Sequence, residues 1–157
     1  MSLGFRRSAL VGAGLATALT GGLILVSCGA GSGDDAVLRV SDSYVPLPAL
    51  PGGAGAGYLT VRNDGGAGDR LLAVTSPDAG SVTMHTSGAT TMTSVESLPV
   101  PAHGELELGR GGNHLMIMGW QKQPAVGDVL ELDLTFARSG TITVTVPVKP
   151  LTYRPGS

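Results

Sequence analysis

The sequence predicts an all-β sandwich or barrel, and three observations carry that prediction. From residue 36 onward, short runs of alternating apolar and polar residues recur, each bounded by Gly, Pro, Asn, Asp or Ser. No stretch of this region repeats its apolar residues at the three- and four-residue spacing of an amphipathic helix. Glycine and proline are abundant, 25 and 10 of the 157 residues, and they cut a chain into many short elements.

The elements follow in order. Val37-Leu38-Arg39-Val40 leads toward Tyr44, and a Pro/Gly loop, PLPALPGGAGAG, covers 46–57. YLTVRN (58–63) and RLLAVTS (70–76) flank the turn NDGGAGD. SVTMHT (81–86), TMTSVES (91–97), ELELG (105–109) and NHLMIMG (113–119) supply four more strands. VLELDLTFA (129–137) and TITVTVPVK (141–149), joined by Arg138-Ser139-Gly140, read as a terminal hairpin. In its second strand Ile142, Val144 and Val146 share one face and threonines the other. About eight or nine strands result, spanning 36–149. Residues 150–157 are expected to form a loose tail, and no internal repeat is present.

The first 28 residues read as a targeting segment. Arg6 and Arg7 form a positive start, Ser8 to Val26 is small and apolar, and Leu25-Val26-Ser27-Cys28 ends it. That ending resembles a bacterial lipobox, whose cysteine becomes the lipidated first residue of the mature chain. The apolar run is also long enough for an uncleaved anchor helix. Its four glycines and its terminal cysteine fit processing better. Phe5 before the arginine pair is a poor match to twin-arginine export. GAGSGDD (29–35) then forms a flexible tether. The domain is expected to face outward, held to the cell membrane by lipid on Cys28. With the sole cysteine so used, no disulfide, thiolate ligand or cysteine nucleophile remains.

Charged residues are only 14% of the chain and the net charge is −2, without a basic patch, so nucleic acid is not an expected partner. There is no G-x-S-x-G elbow, no phosphate loop and no readable carboxylate pair, so no enzyme class is indicated. Useful chemistry is confined to His85, His103 and His114 and to Met84, Met92, Met116 and Met118. Alternation places Val82 and Met84 toward the core, with Thr83 and His85 on the opposite face. The same logic turns Leu115 and Ile117 inward and His114, Met116 and Met118 outward. The other phase, with the methionines filling the core, is the plainer reading of an isolated strand. Two histidines and several methionines on neighbouring strands favour a soft, uncharged ligand set suited to Cu(I). Zinc would draw on cysteine or carboxylate as well, and calcium or magnesium on oxygen.

These residues resemble the periplasmic copper chaperones called PCuAC, a cupredoxin-like Greek-key sandwich with the motif H-x10-M-x21-H-x-M. Met92-x21-His114-x-Met116 matches its second part, and YLTVRN, DRLLAVTSP, VESLPVPAHGELEL and GGNHLMIMG extend the likeness over roughly 37–148. The resemblance implies a Cu(I) site, alone or also accepting Cu(II), built from His85, Met92, His114 and Met116. It implies delivery to the copper centre of cytochrome c oxidase, directly or with a Sco-type protein. The departure is the segment between His85 and Met92, six residues rather than ten, which makes Met92 the least secure ligand. Tyr44 stands where the family often has tryptophan. His103 is expected to be a solvated turn residue, and Met118 to pack beside the site. A blue-copper electron carrier would need a cysteine thiolate and is excluded. The alternative is an immunoglobulin-like surface lipoprotein acting as an interaction module without metal. A copper oxidase or superoxide dismutase is weaker still, because its histidine-rich site is missing.

Overall fold

The structure is a computed structural model and describes residues 34–156. The targeting segment, Cys28 and most of the tether lie outside the described residues. Ten strands form and no helix occurs among the described residues: β1 (Leu38–Pro46), β2 (Gly55–Asn63), β3 (Asp69–Thr75), β4 (Ala79–Ser87), β5 (Met92–Val95), β6 (Leu98–Val100), β7 (Glu105–Leu108), β8 (Asn113–Trp120), β9 (Val129–Phe136) and β10 (Gly140–Lys149). The expected all-β Greek-key sandwich is what the chain adopts.

Hydrogen bonding follows one nearly closed path, β5-β4-β8-β2-β1-β10-β9-β3-β6, with β7 added on β2. Strand β2 divides its partners, Gly55–Gly57 meeting β8 and Leu59–Arg62 meeting β7. β1 and β10 run parallel and touch in register only at Val45↔Val148 and Pro46↔Lys149. The β9–β10 hairpin is fully regular from Gly140↔Phe136 to Pro147↔Val129, as its sequence predicts. Inward residues from both layers meet in one core. Leu59, Val61, Leu115, Ile117, Leu132, Leu134 and Val146 are all 1% exposed or less. Each such side chain contributes about 1.5–3 kcal/mol by leaving water.

Two differences from the sequence reading have physical causes. The strand expected over TMTSVES (91–97) stops at Val95, and β6 (Leu98–Val100) forms where no strand was expected. β5 pairs with β4, the chain bends at Glu96-Ser97, and β6 then pairs with β3 instead. β6 ends the path, where Pro99 costs no ladder hydrogen bond. The second difference is that β2 starts inside the glycine-rich segment. A Cβ on Gly55 would stand 2.4 Å from Cζ2 of Trp120, and one on Gly57 3.2 Å from Cβ of Leu115, so glycine there admits close packing. Trp120 Nε1 also donates to the Gly53 carbonyl at 2.8 Å.

Buried polar groups are satisfied where they organise turns. Asn63 Oδ1 accepts from the amides of Val37 and Gly65, and its Nδ2 donates to the Ala67 carbonyl. Asp69 accepts from the amides of Arg70, Arg138 and Ser139 and from the Ser139 hydroxyl, tying β3 to the β9–β10 turn. Burial pushes its carboxyl pKa up, but the Ser139 hydroxyl and the three amides outweigh that and hold it below the usual range. Beyond β10, Tyr153 packs edge-on against Tyr44 at 5.0 Å between centroids, and Arg110 donates to the Leu151 carbonyl.

Candidate metal centre

β8 lies between β4 and β2, and its alternation sorts its side chains as the sequence predicts. Leu115 and Ile117 are fully buried in the core, and Met118 is 48% exposed. Met84 of β4 is buried in the same core, and His103 sits exposed in a turn with φ 51°. The register then decides what shares the outer face. His85 stands directly across from His114, and Thr83 directly across from Met116. Ser87 faces Met92 and Ser94 faces His85, so Met92 occupies the same face one step diagonally from His85. Directly opposed Cβ atoms lie about 4.5–5.5 Å apart and diagonal ones about 7–8 Å. All four residues expected from the motif are therefore neighbours on one face of β5-β4-β8.

The shortened segment after His85 resolves into a four-residue hairpin tip. Gly88 donates to the Thr91 carbonyl at 2.7 Å, and Met92 resumes pairing opposite Ser87. Met92 is 54% exposed and His114 only 8%. His114 thus lies on the outer face but is largely covered, with Tyr58 from β2 and Met92 from β5 lining the same hollow. These residues line a shallow hollow of about 270 Å³ together with Met116, Ser87 and Ala56. Hollows of about 380 and 370 Å³ occur elsewhere but contain neither histidine nor methionine. Donor chemistry, not volume, singles out the smaller one.

The two imidazoles are held in complementary ways. Their rings stack with centroids 5.8 Å apart and planes inclined by 21°. His114 Nδ1 lies 3.1 Å from the Gly112 carbonyl, which can only accept, so the neutral ring carries its proton on Nδ1 and leaves Nε2 with a lone pair. That same carbonyl accepts the Ser87 amide at 3.1 Å, which fixes the loop preceding β8 against β4. His85 Nε2 pairs with the Thr83 hydroxyl at 2.9 Å, whereas its Nδ1 is buried without a partner. A buried ring nitrogen without a partner costs about 1–3 kcal/mol whether it is a donor or an acceptor, a cost that binding an electrophile through its lone pair would remove. Metal-binding histidines ordinarily have the opposite nitrogen fixed by a hydrogen bond. Metal–imidazole bonds of about 2.0–2.1 Å put an ion roughly 3.2 Å from a ring centroid, so two rings can share one out to about 6.4 Å. The observed 5.8 Å lies inside that reach, and because a ring-nitrogen lone pair lies in the ring plane, the stacked rings must turn about their side-chain torsions to aim both lone pairs at one ion. No group of three or more His, Cys, Asp or Glu gathers among the described residues, which leaves thioethers as the additional donors.

Residues 38–148 match the family described as "LpqE-like: Putative lipoprotein LpqE-like". The chain belongs to the LpqE-like family. This LpqE-like chain is 32% identical over 117 residues to "Putative lipoprotein Lxx21020" of Leifsonia xyli subsp. xyli, covering 71% of this chain and 69% of that one. In fold it is similar to the copper-bound PCuAC domain from PmoF2, with TM-score 0.64 and 23% identity over 72% of this chain and 92% of that one. It is also similar to the Cu(I) form of DR1885 from Deinococcus radiodurans, with TM-score 0.59 and 28% identity over 77% and 85%. The LpqE-like domain therefore has the PCuAC fold.

Sequence reasoning missed three contributors to the site. Tyr58 reaches it from a strand that pairs with β8 only through its glycine-rich start, which composition disguises as loop. Gly112 acts through its carbonyl, for which a sequence carries no signal. Thr83 was detectable in part, since alternation already puts it beside His85.

Proposed function

We propose that this chain is an extracytoplasmic copper chaperone, tethered to the membrane through lipid on Cys28, that carries Cu(I) between His85, Met92, His114 and Met116. The observation that carries the reading is the cross-strand His85–His114 pair, stacked at 5.8 Å with one buried ring nitrogen unpartnered and methionines flanking it on the same face. Two imidazoles and thioethers form a soft, neutral donor set, which favours Cu(I) over Cu(II). The Cu(I)-bound DR1885 and copper-bound PmoF2 domains of the same fold support this assignment, and the lipoprotein family supports the anchor.

In this mechanism the histidines hold the ion and the sulfurs exchange it. His114 binds through Nε2 while Gly112 fixes its tautomer. His85 binds through its unpartnered Nδ1, in the tautomer whose Nε2–H donates to the Thr83 hydroxyl. Met92, more than half exposed, is the ligand an acceptor displaces first. Stepwise replacement of thioethers passes copper on without unfolding the sandwich. The acceptor is the copper centre of cytochrome c oxidase, reached directly or through a Sco-type partner. Anaerobic titration with Cu(I), beside an aerobic one with Cu(II), tests the reading. One tightly held Cu(I) per chain, lost in His85→Ala and in His114→Ala, is expected. Wild-type protein that retains no copper of either state supports the interaction-module alternative and removes the proposal. Cys28→Ala should release the protein from the membrane fraction.

A further inference from the structure

The register of β8 does not stop at Met116. Met118 is the next residue on the same face, opposite Ser81, about 6.6 Å further along the strand. Exposure rises along this line from His114, 8%, through half-buried Met116 to Met118, 48%. Across from the two sulfurs stand Thr83 and Ser81 of β4, both exposed, and Ala56 of β2 beside Met116, all too small to cover them. Beyond Met118 the face ends in Gly119, whose backbone approaches Gly80 with no side chain between. The outer face of β8 thus presents an imidazole and two thioethers in a row, graded from buried to open.

We infer that Met118 is a transit ligand for Cu(I), a thioether that takes the ion during entry and exit without holding it at rest. The inference rests on the copper reading above. Copper(I) exchange among soft ligands is associative: a new Cu–S bond forms at Met118 as an existing bond in the resident set breaks, and the ion stays Cu(I) throughout. Neither proton nor electron is transferred. A staging sulfur on the open side lowers the barrier in both directions equally, so it changes rates and leaves the affinity alone. Met92 flanks the histidines on the β5 side, and Met118 extends the path on the β8 side. An ion can then be approached from one flank while it is still held from the other.

Met118→Leu provides the test, since it keeps the apolar bulk and removes only the sulfur. Cu(I)-loaded full-length protein is mixed anaerobically with bicinchoninate, and release is followed by the chelate absorbance; capture is measured by the reverse mixing. Wild-type protein is expected to load one Cu(I). The variant should have an affinity within about twofold of wild type while release and capture both slow by about fivefold or more. Release at the wild-type rate overturns the inference and leaves the copper site standing. An affinity loss beyond about tenfold also overturns it, by making Met118 a resident ligand. Wild-type protein that fails to load Cu(I) removes the site itself and this inference with it.

Discussion

The hydrogen bond between Thr83 and His85 offers a quantitative test of the site, because the substitution that removes it changes almost nothing else. Thr83→Val is isosteric, keeps a β-branched side chain in the middle of β4 and leaves the Thr83↔Met116 pairing intact. It removes the 2.9 Å partner of His85 Nε2, the hydroxyl that accepts from Nε2–H in the tautomer with a bare Nδ1. A neutral hydrogen bond contributes about 0.5–1.5 kcal/mol. At about 1.4 kcal/mol per tenfold in affinity, that corresponds to roughly a 2- to 12-fold loss. Partners of metal-binding histidines are often worth about 10–100-fold. Thr83 is exposed, however, so water can take the place of its hydroxyl, and about 3- to 10-fold is the expected loss. Competition against bicinchoninate under anaerobic conditions measures it, with Thr83→Ser as the variant that restores binding. Stability should stay within about 0.5 kcal/mol of wild type. If Thr83→Val binds Cu(I) as wild type does while His85→Ala does not, His85 does not ligate through Nδ1, and the assignment built on its orphaned nitrogen is wrong.

Further outcomes follow from the same geometry. His114→Ala should abolish tight Cu(I) binding yet keep the far-ultraviolet circular dichroism, because His114 lies outside the core and Gly112 retains its bond from Ser87. Leu115→Ala, one residue on and fully buried, should instead cost about 2–5 kcal/mol in urea denaturation. Asp69 has a carboxyl pKa below its ordinary value, so its contribution is present above the unfolded-state pKa and fades as pH falls through the folded one. Acid titration of stability should therefore show loss below the ordinary carboxylate range. Asp69→Asn should flatten that loss and cost about 1.5–3 kcal/mol at neutral pH, for one charge-assisted bond forfeited. Gly55→Ala forces a Cβ into the Trp120 ring, so the fluorescence of the single tryptophan should shift with a destabilisation of about 1–3 kcal/mol. An unshifted spectrum would place Trp120 elsewhere.

What the sequence made legible was whatever depends on alternation within one strand. NHLMIMGW sorts itself into core and outer face because period two leaves no third choice, and SVTMHT does the same. The β9–β10 hairpin was readable for a similar reason, with its turn marked by Arg138-Ser139-Gly140. Alternation could not reveal which strands become neighbours. The strand read over 91–97 ran past Val95 and β6 went unread, because nothing local records that the chain changes partner at Glu96-Ser97. Nor could it reveal that His114 is largely covered and shares a hollow with Tyr58 and Met92, since burial on an outer face is a tertiary property. Gly55 and Gly57 misled in a more instructive way. Glycine signals a loop by default, but here it permits a strand to approach an indole and a leucine.

The six-residue spacing between His85 and Met92, which set this chain apart from the ten of the PCuAC motif, loses its force once parity is considered. In a hairpin, the face on which a residue lies depends on strand register and not on the length of the tip. Register in β4–β5 is pinned from beneath: Met84 is buried in the core and Val95, directly across, packs against the same core. A slip by one residue would turn Val95 out to solvent and Met92 inward, at the cost of that apolar contact. The tip itself, Gly88 to Thr91, contributes no core side chain and is closed by its own backbone bond. Four residues can therefore be absent from the tip without moving Met92 off the face that carries His85. The Met84–Val95 pair on one side of the hairpin maintains the His85–Met92 spacing on the other, so the shortened loop is no argument against the proposed place of Met92 in the site.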